Sequence, residues 1–334
     1  MNRLMIKYYL LLFLLISSTG SSLFPQDTVK LKSEYLPVLS GNVKTKVEYD
    51  LNNSKIRFEV RNARIGVRGK INDFMYYKAE LDINDEGKMK MLDAYVRITP
   101  LAGLDLYLGQ RKIPFSTDYM RNPAENIFAN RSFLTKYINE GLRDIGFFAD
   151  YNLTSDIPIE FIVGVGDGTG GNNPQWVSRP DFSGRLIAGP LKGFRFAGNM
   201  YFGEKEYRDD LAMFGGEIRY SAGSFFIESE YIRRNWTDTL SLRKHDDGLY
   251  IHSYYNFSIN NKLIYMVSPT ARWDFIGSSV FGKEIDANRI TLGINVGFEP
   301  KQFYSEIRLN YENYLKGSLP VHTDKITLEF IARF

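Results

Sequence analysis

Residues 104–116 read LDLYLGQRKIPFS, and residues 143–151 read RDIGFFADY. In the first stretch Leu104, Leu106 and Leu108 alternate with Asp105, Tyr107 and Gly109, the period of a half-apolar β-strand. In the second, Ile145, Phe147, Ala149 and Tyr151 alternate with Gly146, Phe148 and Asp150, which reads as another strand. The stretch between them has no period of two and carries Arg111, Lys112, Arg121, Arg131, Lys136 and Arg143. Irregular connections longer than about 15 residues are uncommon in compact domains and are usually functional or disordered.

The ends of the chain say where such a protein resides. Arg3 and Lys7 precede an apolar run from Tyr8 to Ile16, followed by the small residues SSTGSS. That is the pattern of a secretory signal peptide over residues 1–22, with cleavage expected between Gly20 and Gln26. A lead-in over 23–40 and one β-domain over 41–334 are the expected divisions. The apolar run is shorter than the ~20 residues a spanning helix needs. There is no cysteine, so a lipid-anchored or disulfide-framed protein is not expected. A net charge of +3 is too small to imply nucleic-acid binding. An exported, helix-poor, disulfide-free chain fits the periplasm or outer membrane of a diderm bacterium.

At the far end, DKITLEFIARF puts Ile326, Leu328, Phe330, Ala332 and Phe334 on one face. Near the start, GNVKTKVEYD places Val43, Thr45, Val47 and Tyr49 together. The next strand, KIRFEVRNARIGVRG, alternates in two phases: Ile56, Phe58 and Val60, then Ala63, Ile65 and Val67. One extra residue near Asn62, a β-bulge, reconciles the phases and turns Arg57, Arg61, Arg64 and Arg68 to the polar side. Continuing along the chain gives about 16 strands, an even number as a single-chain bacterial barrel requires. Loops are expected at 235–247 and between Phe275 and Arg289. The expected fold is therefore all-β: a transmembrane antiparallel barrel whose long third outer loop folds into the lumen. Backbone groups facing hydrocarbon must all be paired, and only a closed barrel pairs strands without leaving an edge.

Candidate residues follow from that geometry. Arg57, Arg61, Arg64 and Arg68 would repel one another unless acids or passing anions compensate. One reading is an anion path; the other is a bracing mesh with Glu59, Glu80, Asp82, Asp93 and Asp105, which fall at inward positions nearby. Arg97, Arg111 and Lys112 extend the pore-lining set, and Arg121, Arg131, Lys136 and Arg143 are candidates for the third-loop constriction, weakened by Asp118, Glu125 and Glu140 in the same loop. Lys or Arg in a constriction raises the local anion concentration by focusing field lines. Catalysis and cofactors are not expected. His245 and His322 fall in expected loops, and His252 shares a polar strand face with Tyr250 and Tyr254. The stretch GVGDGTGG lacks the Lys-Ser/Thr and helix of a phosphate-cradling loop.

In order along the chain, RNARIGVRGKINDFMYYKAELD, LDAYVRI, LYLGQRKIPFS, GLRDIGFF, SGRLIAGPL, FFIESEYIRR and SPTARWDF resemble the phosphate-selective porin O and P family. The resemblance implies an integral outer-membrane channel, trimeric and 16-stranded, in contact with outer-membrane lipid. It implies passive passage of small anions, phosphate among them, along lumenal Arg and Lys, with Arg111, Lys112 and the Arg set of the second strand standing for such a ladder. The terminal Phe334 resembles the handle by which outer-membrane barrels engage their assembly machinery. The third loop here has few Lys. A general diffusion channel, or a non-conducting barrel serving as adhesin or anchor, are the alternatives.

Overall fold

The computed structural model describes residues 35–85, 88–138, 143–205, 208–300, 305–317 and 323–334; the signal-peptide region, His322 and Glu140 lie outside them. Seventeen strand segments form one sheet. They are β1 (Val38–Asp50), β2 (Lys55–Lys70), β3 (Met75–Asp85), β4 (Lys88–Leu101), β5 (Leu104–Lys112), β6 (Arg143–Leu153), β7 (Ile159–Gly166) and β8 (Asp181–Ala188). Then come β9 (Gly193–Lys205), β10 (Arg208–Ala222), β11 (Phe225–Thr237), β12 (Arg243–Tyr255), β13 (Phe257–Ser258), β14 (Ile264–Ser279), β15 (Glu284–Phe298), β16 (Ser305–Gly317) and β17 (Lys325–Arg333). Both β12 and β13 pair with β14, so they are two pieces of one strand, interrupted at Asn256. That leaves 16 strand positions.

Every pairing is antiparallel between sequence neighbours, and β1 pairs with β17 as well as β2. Gly41 and Phe334 complete the closure by exchanging backbone hydrogen bonds of 2.9 and 3.0 Å. A closed sheet has no edge left to pair. The β1–β2 register steps between Lys44, opposite Asn62, and Thr45, opposite Val60, so Arg61 is the extra residue of the bulge.

The wall inverts the polarity of a water-soluble protein. On β17, Leu328 and Phe330 are exposed, whereas Thr327 and Glu329 are buried. On β2, Ile56, Phe58 and Val60 face outward; on β9, Phe194, Phe196, Met200 and Phe202 do. Burying one such side chain is worth about 1.5–3 kcal/mol, so an exterior of this kind is stable only against hydrocarbon. Charged groups line the inside because the lumen is where they find partners.

Three expectations are corrected. The first strand begins at Val38, ahead of the expected boundary at 41. Residues 235–247 are mostly strand, since β11 runs to Thr237 and β12 starts at Arg243, which puts His245 on a strand. The segment after Phe275 is likewise strand to Ser279 and again from Glu284. At the rim the outer face meets water, apolar alternation stops, and backbone pairing continues without that signature.

Candidate functional site: a cation-lined chamber beside the third loop

The described part of the third connection, 113–138, is built from short capped turns. Ser116 Oγ accepts from the Tyr119 amide at 3.3 Å and caps the single helical turn Thr117–Met120. The turn's open carbonyls are taken by the Lys112 ammonium, which donates to Tyr119, Met120 and Arg121 at 2.7, 3.1 and 3.0 Å. Asn122 caps the next turn, Pro123–Glu125. Asp118 ties the legs together: its carboxylate accepts from the Ser132 and Thr135 hydroxyls at 2.7 and 2.6 Å. Burial alone would push that carboxyl up. Arg131, Arg121 and the Thr135 hydroxyl hold it well below the usual carboxylate range.

The loop runs along the inner wall. Its Thr117 amide donates to Glu217 on β10 at 3.1 Å, and Arg121 grips Glu228 on β11 at 2.7 and 2.8 Å. Ala129 donates to Asn310 and Asn130 to Glu312, both on β16 and both at 2.7 Å. Arg272 and Arg289 donate to the carbonyls of Asn130 and Arg131 at 2.9 and 3.0 Å. Phe115, Phe133, Leu134 and Ile138 pack with Leu211, Met213, Ile232 and Ile276 of the wall into one buried cluster. Gly248 on β12 makes room for this packing: a Cβ there would meet Leu134 Cδ2 at 2.5 Å. The tip descends to the rim of the chain ends, where Glu125 pairs with Arg333 at 2.7 Å.

Most of these ties run to β10–β17, with Lys44 and Lys46 of β1 reaching Ala129 and Asn130 across the space that remains on the β1–β4 side. It is a cavity of about 1100 Å³. Among the described residues, its charged lining is Lys44, Lys46, Lys88, Lys90, Lys112, Lys136 and Lys325 with Arg57, Arg61, Arg64, Arg131, Arg143 and Arg289, thirteen cations, against the single acid Glu48. The compensating acids sit behind the cations. Glu329 pairs with Lys44 at 2.8 Å, Glu59 with Lys46 at 3.3 Å and Asp82 with Arg64 at 2.8 Å. Asp93 pairs with Arg143 and Glu312 with Arg289, each at 3.0 Å. Burial, then the charges of Lys325 and Arg289, push the Lys136 ammonium below its usual value, which shows how crowded the cations are.

Of the candidates read from sequence, Arg57, Arg61, Arg64, Lys112, Arg131, Lys136 and Arg143 come together around this cavity. The donors of Lys112 are committed to the loop carbonyls. Four others lie elsewhere. Arg111 forks onto Asp150 at 3.0 to 3.1 Å and lies 4.1 Å from the Tyr107 ring centroid. Arg97 pairs with Asp105 at 3.2 Å, Arg121 is held by Glu228, and Arg68 is exposed outside the cavity lining. Lys44 and Lys46 were legible as the complement of the Val43–Tyr49 face. Arg289 and Lys325 had no local signal. His252 is buried against Phe226 and Tyr250, with Nε2 3.7 Å from Glu228.

A closed 16-position antiparallel barrel with an apolar exterior and a charged, loop-divided lumen defines a porin-type channel, integral to the outer membrane. Comparison with known structures agrees on the fold. The chain is similar to OmpF of Salmonella typhi, in complex with daunomycin, at 12% identity and a TM-score of 0.63, covering 90% of this chain and 98% of that one. It is similar to the anion-selective porin of Comamonas acidovorans at 12% identity and a TM-score of 0.58, covering 90% and 99%. To the trimer form of Vibrio cholerae OmpT the identity is 9% and the TM-score 0.59, covering 90% and 99%. No curated protein sequence matches the chain. Residues 40–161, from β1 into β7, match the family model of phosphate-selective porin O and P.

Proposed function

We propose that this channel favours small anions, phosphate among them, by passive diffusion, and works as a homotrimer. The observation that carries the reading is the lining of the chamber, thirteen cations to one acid among the described residues. Low-dielectric walls concentrate that field in the lumen, raising local anion concentration and disfavouring cations. Conduction needs several sites of moderate strength so that an anion can hop between them. Arg57, Arg61 and Arg64, each shared with an acid behind it, are sites of that kind. The match to a family described as phosphate-selective supports the choice of anion, and the trimer form of OmpT supports the assembly.

A second reading is a general diffusion channel in which the same ion pairs only brace the wall; the acids behind Lys44, Lys46, Arg64 and Arg289 favour it. The zero-current potential of the purified protein in a planar bilayer under a KCl gradient separates the two. The proposal expects an anion-signed potential and inhibition of chloride current by added phosphate. A cation-signed or near-zero potential refutes it. Cross-linking in detergent tests the trimer.

A further inference from the structure

Among the described residues, two cavities share one side chain. The larger is the cationic chamber; the smaller, about 140 Å³, lies toward the rim of the chain ends and is bordered by Glu125, Asn256, Ser268, Asn295 and Glu306. Asn126 lines both. Its neighbours in the loop tip are pinned: Arg308 donates to the Ala124 carbonyl at 3.0 Å, Glu125 pairs with Arg333, and Asn295 donates to the Ile127 carbonyl at 2.8 Å. The Asn126 side chain is different. It is 5% exposed, and its Oδ1 has no hydrogen-bond partner among the described residues. A buried amide oxygen without a partner costs stability, and proteins keep few of them. The Asn126 backbone caps the Pro123–Glu125 turn, and its side chain is left facing the two cavities.

The sign of the lining also changes across this residue. On one side stand the chamber's cations, and on the other the carboxylates of Glu125 and Glu306, each with an Arg partner. An anion passing from the chamber into the lower cavity would give up its cationic contacts here, at a neutral amide, before meeting partly neutralised acids. We infer that Asn126 gates the passage between the chamber and the lower cavity, slowing bulky organic anions more than small inorganic ones. This rests on the anion reading for the sign of the solute, but not for the size of the opening.

Single-channel recordings on folded Asn126→Gly, Asn126→Gln and Asn126→Asp proteins test it. The glycine variant should raise conductance about twofold and admit gluconate, and the glutamine variant should lower it. The aspartate variant should cut the anion-to-cation permeability ratio roughly tenfold. Glycine and glutamine variants that both conduct like the wild type, with gluconate still excluded, overturn the gate. That result leaves the anion reading standing if the wild-type potential is anion-signed. A cation-signed wild type refutes the anion reading, while opposite conductance changes in the two variants still establish the gate.

Discussion

The Thr135 hydroxyl donates to the Asp118 carboxylate at 2.6 Å, joining the descending leg of the third loop to its return leg 17 residues later. The Ser132 hydroxyl shares the same oxygen at 2.7 Å, and Arg131 donates to the Asp118 carbonyl. This is the point from which the loop keeps its shape inside the barrel.

Asp118→Asn is expected to loosen the loop. Arg121 keeps Glu228, but Arg131 loses the buried charge beside it, a change that costs about 3–5 kcal/mol in comparable networks. Thermal unfolding followed by circular dichroism should show the loss, and single-channel records should become noisier. Thr135→Val should cost less, about 1–2 kcal/mol, because only one hydrogen bond goes.

The acid side of the pH profile follows from the depressed Asp118 carboxyl. A group whose folded value lies below its unfolded value stabilises fully above the unfolded value, about 3.9 for Asp. That stability is lost only as the pH falls through the lower folded value. Current noise should therefore stay flat from neutral pH down to about 4, and rise only in stronger acid. Asp118→Asn channels should be noisy throughout, with no such transition.

Arg111 and Arg61 should separate stability from selectivity. Arg111 forks onto Asp150 within the wall, so Arg111→Gln is expected to cost about 3 kcal/mol and leave the zero-current potential unchanged. Arg57→Gln with Arg61→Gln, on the chamber lining, should lower the anion-to-cation permeability ratio by about twofold per residue. The comparison belongs at about 0.1 M KCl, where the screening length is still ~10 Å.

Gly248→Val tests the seating of the loop. A Cβ at that position meets Leu134 Cδ2 at 2.5 Å and Ile138 Cδ1 at 3.0 Å. Overpacking of this kind costs about 1–3 kcal/mol, relieved here by lifting the return leg off β12. The expected result is a folded barrel with larger conductance and weaker exclusion of gluconate.

Period-two alternation, taken with the signal-peptide pattern and the even strand count, predicted the barrel, because each strand's faces are sorted between hydrocarbon and water by its own residues. Ile326, Leu328 and Phe330 outward, with Thr327 and Glu329 inward, is written in nine consecutive letters. The bulge at Arg61 was legible for the same reason, as a phase change within one strand. What each loop cation does was not. Arg121 and Arg131 look alike in sequence, yet one is locked to Glu228, 107 residues away, while the other reaches the chamber. Lys112 caps a turn that begins five residues later, and Arg289 and Lys325 join the chamber from the far end of the chain. The chain by itself determined which residues face the lumen, since that depends on local solvent preference. Only the closed tertiary structure decided which cations are neutralised and which line open space, since that depends on carboxylates that barrel closure and the inward loop bring within hydrogen-bond reach.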